Sequence, residues 1–65
     1  MIETPGLYTT VDGLTVIIQE WNKKSHCWSG YVNNCPSKGG RYYTNWLDNG
    51  TEVKGTDELA LDLEQ

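Results

Sequence analysis

Ten residues in the middle of the chain combine flat rings with positive charge: Trp21, Lys23, Lys24, His26, Trp28, Tyr31, Lys38, Arg41, Tyr42 and Tyr43. Aromatic rings stack on nucleobases and Lys or Arg neutralises phosphate, the combination with which nucleotides and single strands are held. Core packing competes for the same rings, because Trp28, Trp46 and one or two tyrosines can fill an interior while the lysines sit on solvated loops. Trp21, Tyr31 and Tyr43 fall at strand positions predicted to face outward, where packing alone does not call for them. The predicted ligand-binding set is therefore Trp21, Lys23, Lys24, Lys38, Arg41 and Tyr43.

A second chemistry lies in the charge pattern. Residues 1–20 carry Glu3, Asp12 and Glu20 and no cation, residues 21–47 carry four cations and no acid, and residues 48–65 carry six acids against Lys54. The net charge of −4 and pI near 4.6 count against binding duplex DNA directly, while the central block remains a local anion attractor. The acidic segment suits mimicry of nucleic-acid charge, and Asp57, Glu58 and Asp62 are predicted to meet a basic partner protein.

Catalytic and metal chemistry find little to work with. His26 has Ser25 and Cys27 as sequence neighbours, which strand geometry does not align for proton transfer, and no carboxylate lies in the central block to orient the imidazole. Lys38-Gly39-Gly40 lacks the spacing and context of a phosphate loop. His26, Cys27 and Cys35 lack a CxxC spacing and an evident fourth ligand. No enzyme activity, cofactor or metal is expected, and Cys27 and Cys35 are expected to stay thiols, one half-buried and one in a loop.

The elements that position these residues are short strands. Leu7–Val11 is a first run, closed by Asp12-Gly13, a two-residue turn signal. Leu14, Val16 and Ile18 then alternate with Thr15, Ile17 and Gln19, completing a hairpin over residues 7–21. Asn22–Ser25 is turn-like. A third strand covers Cys27–Val32, with Trp28, Gly30 and Val32 on one face, and Asn33–Gly40 is predicted to be a loop. Arg41–Leu47 is a fourth strand, with Tyr42, Thr44 and Trp46 opposing Tyr43, Asn45 and Leu47. Asp48-Asn49-Gly50 makes a tight turn before a short fifth strand, Thr51–Lys54. Leu59, Leu61 and Leu63 suit either an extended segment or one or two helical turns docked on the sheet.

The expected fold is thus mainly β: a single small antiparallel meander of 4–5 short strands, curled enough to cover one face, forming one domain over residues 1–65 with a docked C-terminal segment. Its expected core is Tyr8, Val16, Ile18, Trp28, Val32, Trp46, Leu59 and Leu61. Sixty-five residues bury only about 60% of their unfolded surface. A second subunit is therefore expected to help, giving a homo-oligomer. No apolar run approaches the roughly 20 residues of a membrane helix. The N-terminus has no basic start, and Glu3 and Pro5 stand where an apolar h-region would begin, so a location in host cytoplasm is expected.

Gly6-Leu7-Tyr8-Thr9-Thr10-Val11-Asp12-Gly13, Gly30-Tyr31-Val32, Trp46-Leu47-Asp48-Asn49-Gly50 and Leu61-Asp62-Leu63 together resemble small uncharacterised proteins encoded by bacteriophages and prophages. Those proteins similarly run a Gly-Tyr-x-Thr-x-Asp-Gly hairpin, a Gly-x-Val strand, a Trp-x-x-Asp-Gly turn and an Asp-Leu ending. The resemblance implies a phage accessory protein that acts by stoichiometric binding, foremost as an inhibitor of a host anti-phage defence protein. Two alternatives stand beside it: a sponge that sequesters a small anionic nucleotide signal at the basic and aromatic residues, and a structural or assembly accessory of the phage particle.

Overall fold

A computed structural model describes residues 1–63, so Glu64, part of the acidic segment above, lies outside the described residues. Four antiparallel strands form one open sheet in the order β1-β2-β3-β4: β1 Gly6–Thr9, β2 Thr15–Asn22, β3 Cys27–Cys35 and β4 Gly40–Trp46. Two single 3-10 turns, Pro36–Lys38 and Asp57–Leu59, complete the regular structure. The meander follows from its turns. At Thr10–Leu14 and again at Leu47–Thr51, the first residue's N–H donates to the fifth residue's carbonyl, at 2.8 Å in each case. The fourth residue is a glycine at positive φ, Gly13 at 87° and Gly50 at 91°. Both are three-residue loops ending in a left-handed glycine, rather than the two-residue turn expected at Asp12-Gly13. The fifth strand expected at Thr51–Lys54 is reduced to a single bridge between Trp46 and Glu52, because Gly55 N–H donates to Glu52 C=O and turns the chain away.

The inner face holds Val16, Ile18, Val32, Trp28 and Trp46, with Tyr8 and Tyr42 packed at its margin. Leu59 and Leu61 complete this core as expected, and Ile2 and Cys35 join it. Trp46 Nε1 donates to Leu59 C=O at 2.8 Å, fixing the turn at Asp57–Leu59 over the sheet. From there the chain runs extended. Val11 N–H donates to Ala60 C=O, Asp62 N–H to Thr9 C=O and Leu61 N–H to Gly50 C=O. This last segment ties the end of β1 to the loop after β4. Ile2 N–H donates to Asp48 C=O at 2.7 Å, so the N-terminus closes the same side. Ile2, Leu59 and Leu61, from the two terminal segments, all pack into the inner-face core.

Gly30 is the point of closest strand approach. It pairs with Ile18 and Thr44, and a Cβ there would collide with the Ile17 backbone oxygen and stand 3.0 Å from Ile18 Cα. A buried carboxylate is the other unusual element. Glu52, only 1% exposed, accepts the Thr44 hydroxyl at 2.7 Å and the Lys54 N–H at 3.0 Å on one oxygen, and the Thr56 N–H at 3.4 Å on the other. Among the described residues no helix is long and apolar enough to cross a membrane.

Candidate functional site

The face turned away from this core carries an uncovered row. Strand register aligns Leu7 on β1 with Ile17 on β2, Tyr31 on β3 and Tyr43 on β4. Three inter-strand steps make this row about 14 Å long. Its ends are open, with Leu7 75% and Tyr43 59% exposed, and Ile17 and Tyr31 are half-buried between them. The Tyr31 and Tyr43 rings lean on each other at 5.1 Å between centroids. Arg41 lies 4.6 Å over the Tyr31 ring and donates from Nη1 to the Tyr43 hydroxyl at 3.4 Å. That bond foremost, with the electrostatic pull of Tyr31 and Tyr43 after it, holds the guanidinium pKa above its ordinary value. Polar positions border the row on the same face, where Ser29 Oγ donates to Asn45 Oδ1 at 3.1 Å.

Just round the β4 edge, Tyr42 faces inward and gathers two more cations. Lys38 Nζ stands 4.9 Å from its ring centroid and Lys54 Nζ 5.7 Å, and Lys54 also donates to the Tyr42 hydroxyl at 3.3 Å. Each such ring contact contributes about 0.5–1 kcal/mol at an exposed site. Lys38, Arg41 and Lys54 thereby concentrate three positive charges and three tyrosine rings along one edge strand.

The structure does not bring the predicted ligand-binding set together. Lys38, Arg41 and Tyr43 lie around β4, whereas Lys23 and Lys24 sit on the β2–β3 loop at the other end of β3. Nine strand residues at about 3.3 Å each put roughly 25 Å between those ends. Trp21 belongs to the loop end and not to the outward face. A bulge between Ile18 and Glu20 adds one residue to β2, so Trp21 comes opposite Trp28 instead of following Ile17. Trp21, Trp28 and Trp46 form a row on the core side, Trp21 edge-on to Trp28 at 5.3 Å and to His26 at 6.3 Å. It is the outermost of the three at 38% exposed. The loop itself is built by Asn22, whose Oδ1 accepts the Lys24 and Ser25 N–H groups, and by His26 at φ 54°.

Tyr31 and Tyr43 do occupy the outward face that alternation predicts. Lys54 was missed, because charge arithmetic places it among the acids of residues 48–65 and only the Trp46–Glu52 bridge carries it to Tyr42. Of the predicted acids, Asp57 and Glu58 are exposed on their 3-10 turn. Glu58 and Asp12 share the rim of a cavity of about 240 Å³ beside Cys35 and Pro36. Asp62 lies on the extended segment next to β1, half-buried, so it does not form one patch with the other two.

The cysteines also depart from expectation, since both are buried. β3 continues past Val32 through a bulge, with Asn34 at φ 56°. Cys35 therefore ends a strand inside the core instead of lying in a loop over Asn33–Gly40. The Cys27 and Cys35 thiols stand at opposite ends of β3, beside the Ser25 and Ser37 hydroxyls at 3.0 and 3.4 Å. No family model, curated protein or solved structure matches the chain.

Proposed function

We propose that the chain is a stoichiometric binding protein, an accessory of the phage kind its sequence pattern resembles, and that it blocks a host defence protein by docking through the outward sheet face. The observation that carries this reading is the row Leu7–Ile17–Tyr31–Tyr43 with Arg41 over it, open at both ends while Ile2, Leu59 and Leu61 pack against the opposite face. An apolar centre with tyrosine and arginine anchors and a polar border is the make-up of a protein interface. The acidic residues Asp57, Glu58 and Asp62 then serve solubility and packing.

The test is phage plating on a defence-carrying host that expresses the chain. Leu7→Ser combined with Tyr43→Ser changes two side chains that are more than half exposed, so circular dichroism and melting should stay near those of the parent. Protection of the phage should be lost. The competing arm neutralises Asp57, Glu58 and Asp62 together. Loss of protection in that arm alone, with the Leu7/Tyr43 variant fully active, overturns the proposal.

A further inference from the structure

We propose that the free edge of β4 takes an extended, acidic segment of the partner protein as an added strand. The inference rests on the docking reading above and names the partner's chemistry. β4 is the last strand of the sheet. Asn45 C=O accepts the Val53 N–H from outside the sheet, which fixes the parity of the strand. In an antiparallel ladder alternate residues turn both backbone groups the same way. Tyr43 and Arg41, two and four positions before Asn45, therefore also point their N–H and C=O outward. The Trp46–Glu52 bridge covers the edge below this point and the turn at Pro36–Lys38 leads into it above. What remains is a window of about three residues, or about 10 Å.

Charge selects what can fill that window. An incoming strand would place alternate side chains on the two faces of the sheet. On one side they meet Tyr43 and Arg41, and on the other Tyr42 between Lys38 and Lys54. Both sides thus present cations, and a segment carrying Asp or Glu on each face satisfies them. A second copy of this chain is disfavoured at the same edge, because β4 against β4 would set Lys38, Arg41 and Lys54 beside their own counterparts. Edge lysines are a common guard against self-pairing, and here the same charges leave the edge attractive to an acidic strand. Strand addition supplies main-chain hydrogen bonds for affinity and side-chain pockets for selection.

The probe is a capped heptapeptide, Glu-Glu-Val-Val-Glu-Glu-Val, which carries Glu on both faces of an extended strand, with two controls: Lys in place of Glu, and N-methylation of the edge-pairing amides. With the full chain, the Glu peptide should bind saturably and slow hydrogen exchange of the Arg41 and Tyr43 amides. The Lys peptide should not, and N-methylation should weaken binding at least tenfold. Tyr43→Pro removes an N–H that no strand of this sheet uses, so it should cost at least tenfold more affinity than Tyr43→Ala. If Tyr43→Pro does not fold, the N-methylated peptide and the exchange of the two amides decide the question on the parent chain. Equal binding of the Glu and Lys peptides, unprotected amides, or binding of a short oligothymidylate in place of the peptide overturns the inference. In the plating assay, Tyr43→Pro losing more protection than Tyr43→Ala supports the edge, and equal loss in the two overturns it. Both keeping protection while Leu7→Ser with Tyr43→Ser loses it overturns the edge and leaves the docking face standing. All three variants keeping it overturns both.

Discussion

Replacing Glu52 by alanine withdraws one acceptor from three donors at once: the Thr44 hydroxyl and the Lys54 and Thr56 N–H groups. Thr44 is itself buried, so its hydroxyl would be stranded at a cost of about 1–3 kcal/mol. The two amides lie nearer solvent and can turn to water, so losing their bonds adds about 1 kcal/mol each, the net value of an ordinary hydrogen bond. The sum is about 3–5 kcal/mol. A chain of this length typically has only about 3–10 kcal/mol of stability, so the variant should be marginal or unfolded at 25 °C. Glu52→Gln keeps the volume and one carbonyl acceptor, sets its NH₂ against the Thr56 N–H, and should cost about 1–2 kcal/mol. The acid limb separates the two roles of this residue. Burial by itself raises the Glu52 pKa, but the Lys54, Thr44 and Thr56 hydrogen bonds outweigh it and hold the carboxyl below its ordinary value. A depressed carboxyl contributes its full stability above the unfolded pKa of about 4.3 and loses it as pH falls through the folded value. Urea unfolding followed by tryptophan fluorescence between about pH 6 and pH 3 should therefore show the parent losing more stability than Glu52→Gln, mainly below about pH 4.5. Parallel pH curves for the two proteins, or a cost below about 1 kcal/mol for Glu52→Ala, would refute the reasoning.

Three further outcomes follow from the backbone and the thiols. Gly30→Ala should cost about 3 kcal/mol or prevent folding, since its Cβ collides with the Ile17 backbone rather than with a movable side chain; a melting temperature within a few degrees of the parent would contradict the strand register. Gly13→Ala and Gly50→Ala both place a side chain at positive φ, for about 1 kcal/mol each. Gly50 should lose more, because its Cβ would also press Leu63 Cδ1 at 3.1 Å while Gly13 faces open space; equal losses would mean that the C-terminal segment does not dock there. Intact-mass analysis after alkylation should show two labels in denaturant without reductant and slow labelling in the folded state, given two buried free thiols; no label in denaturant would mean a bridge.

The sheet was legible wherever period two held. Val16 and Ile18 alternate with Ile17, and Tyr42, Thr44 and Trp46 with Tyr43 and Asn45, so both faces of β2 and β4 could be assigned from residue types alone. The outward tyrosines of the candidate site came with them. Where the chain adds a residue, the pattern broke. The bulge after Ile18 moved Trp21 to the core side, and the bulge after Val32 carried β3 on to Cys35. Asn33-Asn34-Cys35-Pro36 has the composition of a loop, and nothing local shows that Asn34 will take φ 56° and return Cys35 to the interior. Glu52 was hidden for another reason: an acid in an acidic segment looks solvated, and its donors come from Thr44 and from the turn that follows it.

The same irregularities explain why the candidate site is concentrated at β4. Charge counted along the sequence makes one basic block of residues 21–47, yet β3 runs through that block and leaves Lys23 and Lys24 at one end of the strand and Lys38 at the other, roughly 25 Å away. The bulge then turns Trp21 inward, so the loop end keeps Lys23 and Lys24 but its large ring is committed to Trp28. At β4 the opposite happens. The buried Glu52 carboxylate holds the Lys54 and Thr56 amides, which pins the chain where Lys54 reaches Tyr42 and makes a third cation for the edge. An acid taken from the negative segment thus builds the most positive part of the molecule. Loosening Glu52 should release Lys54 from the β4 edge as well as weaken the core.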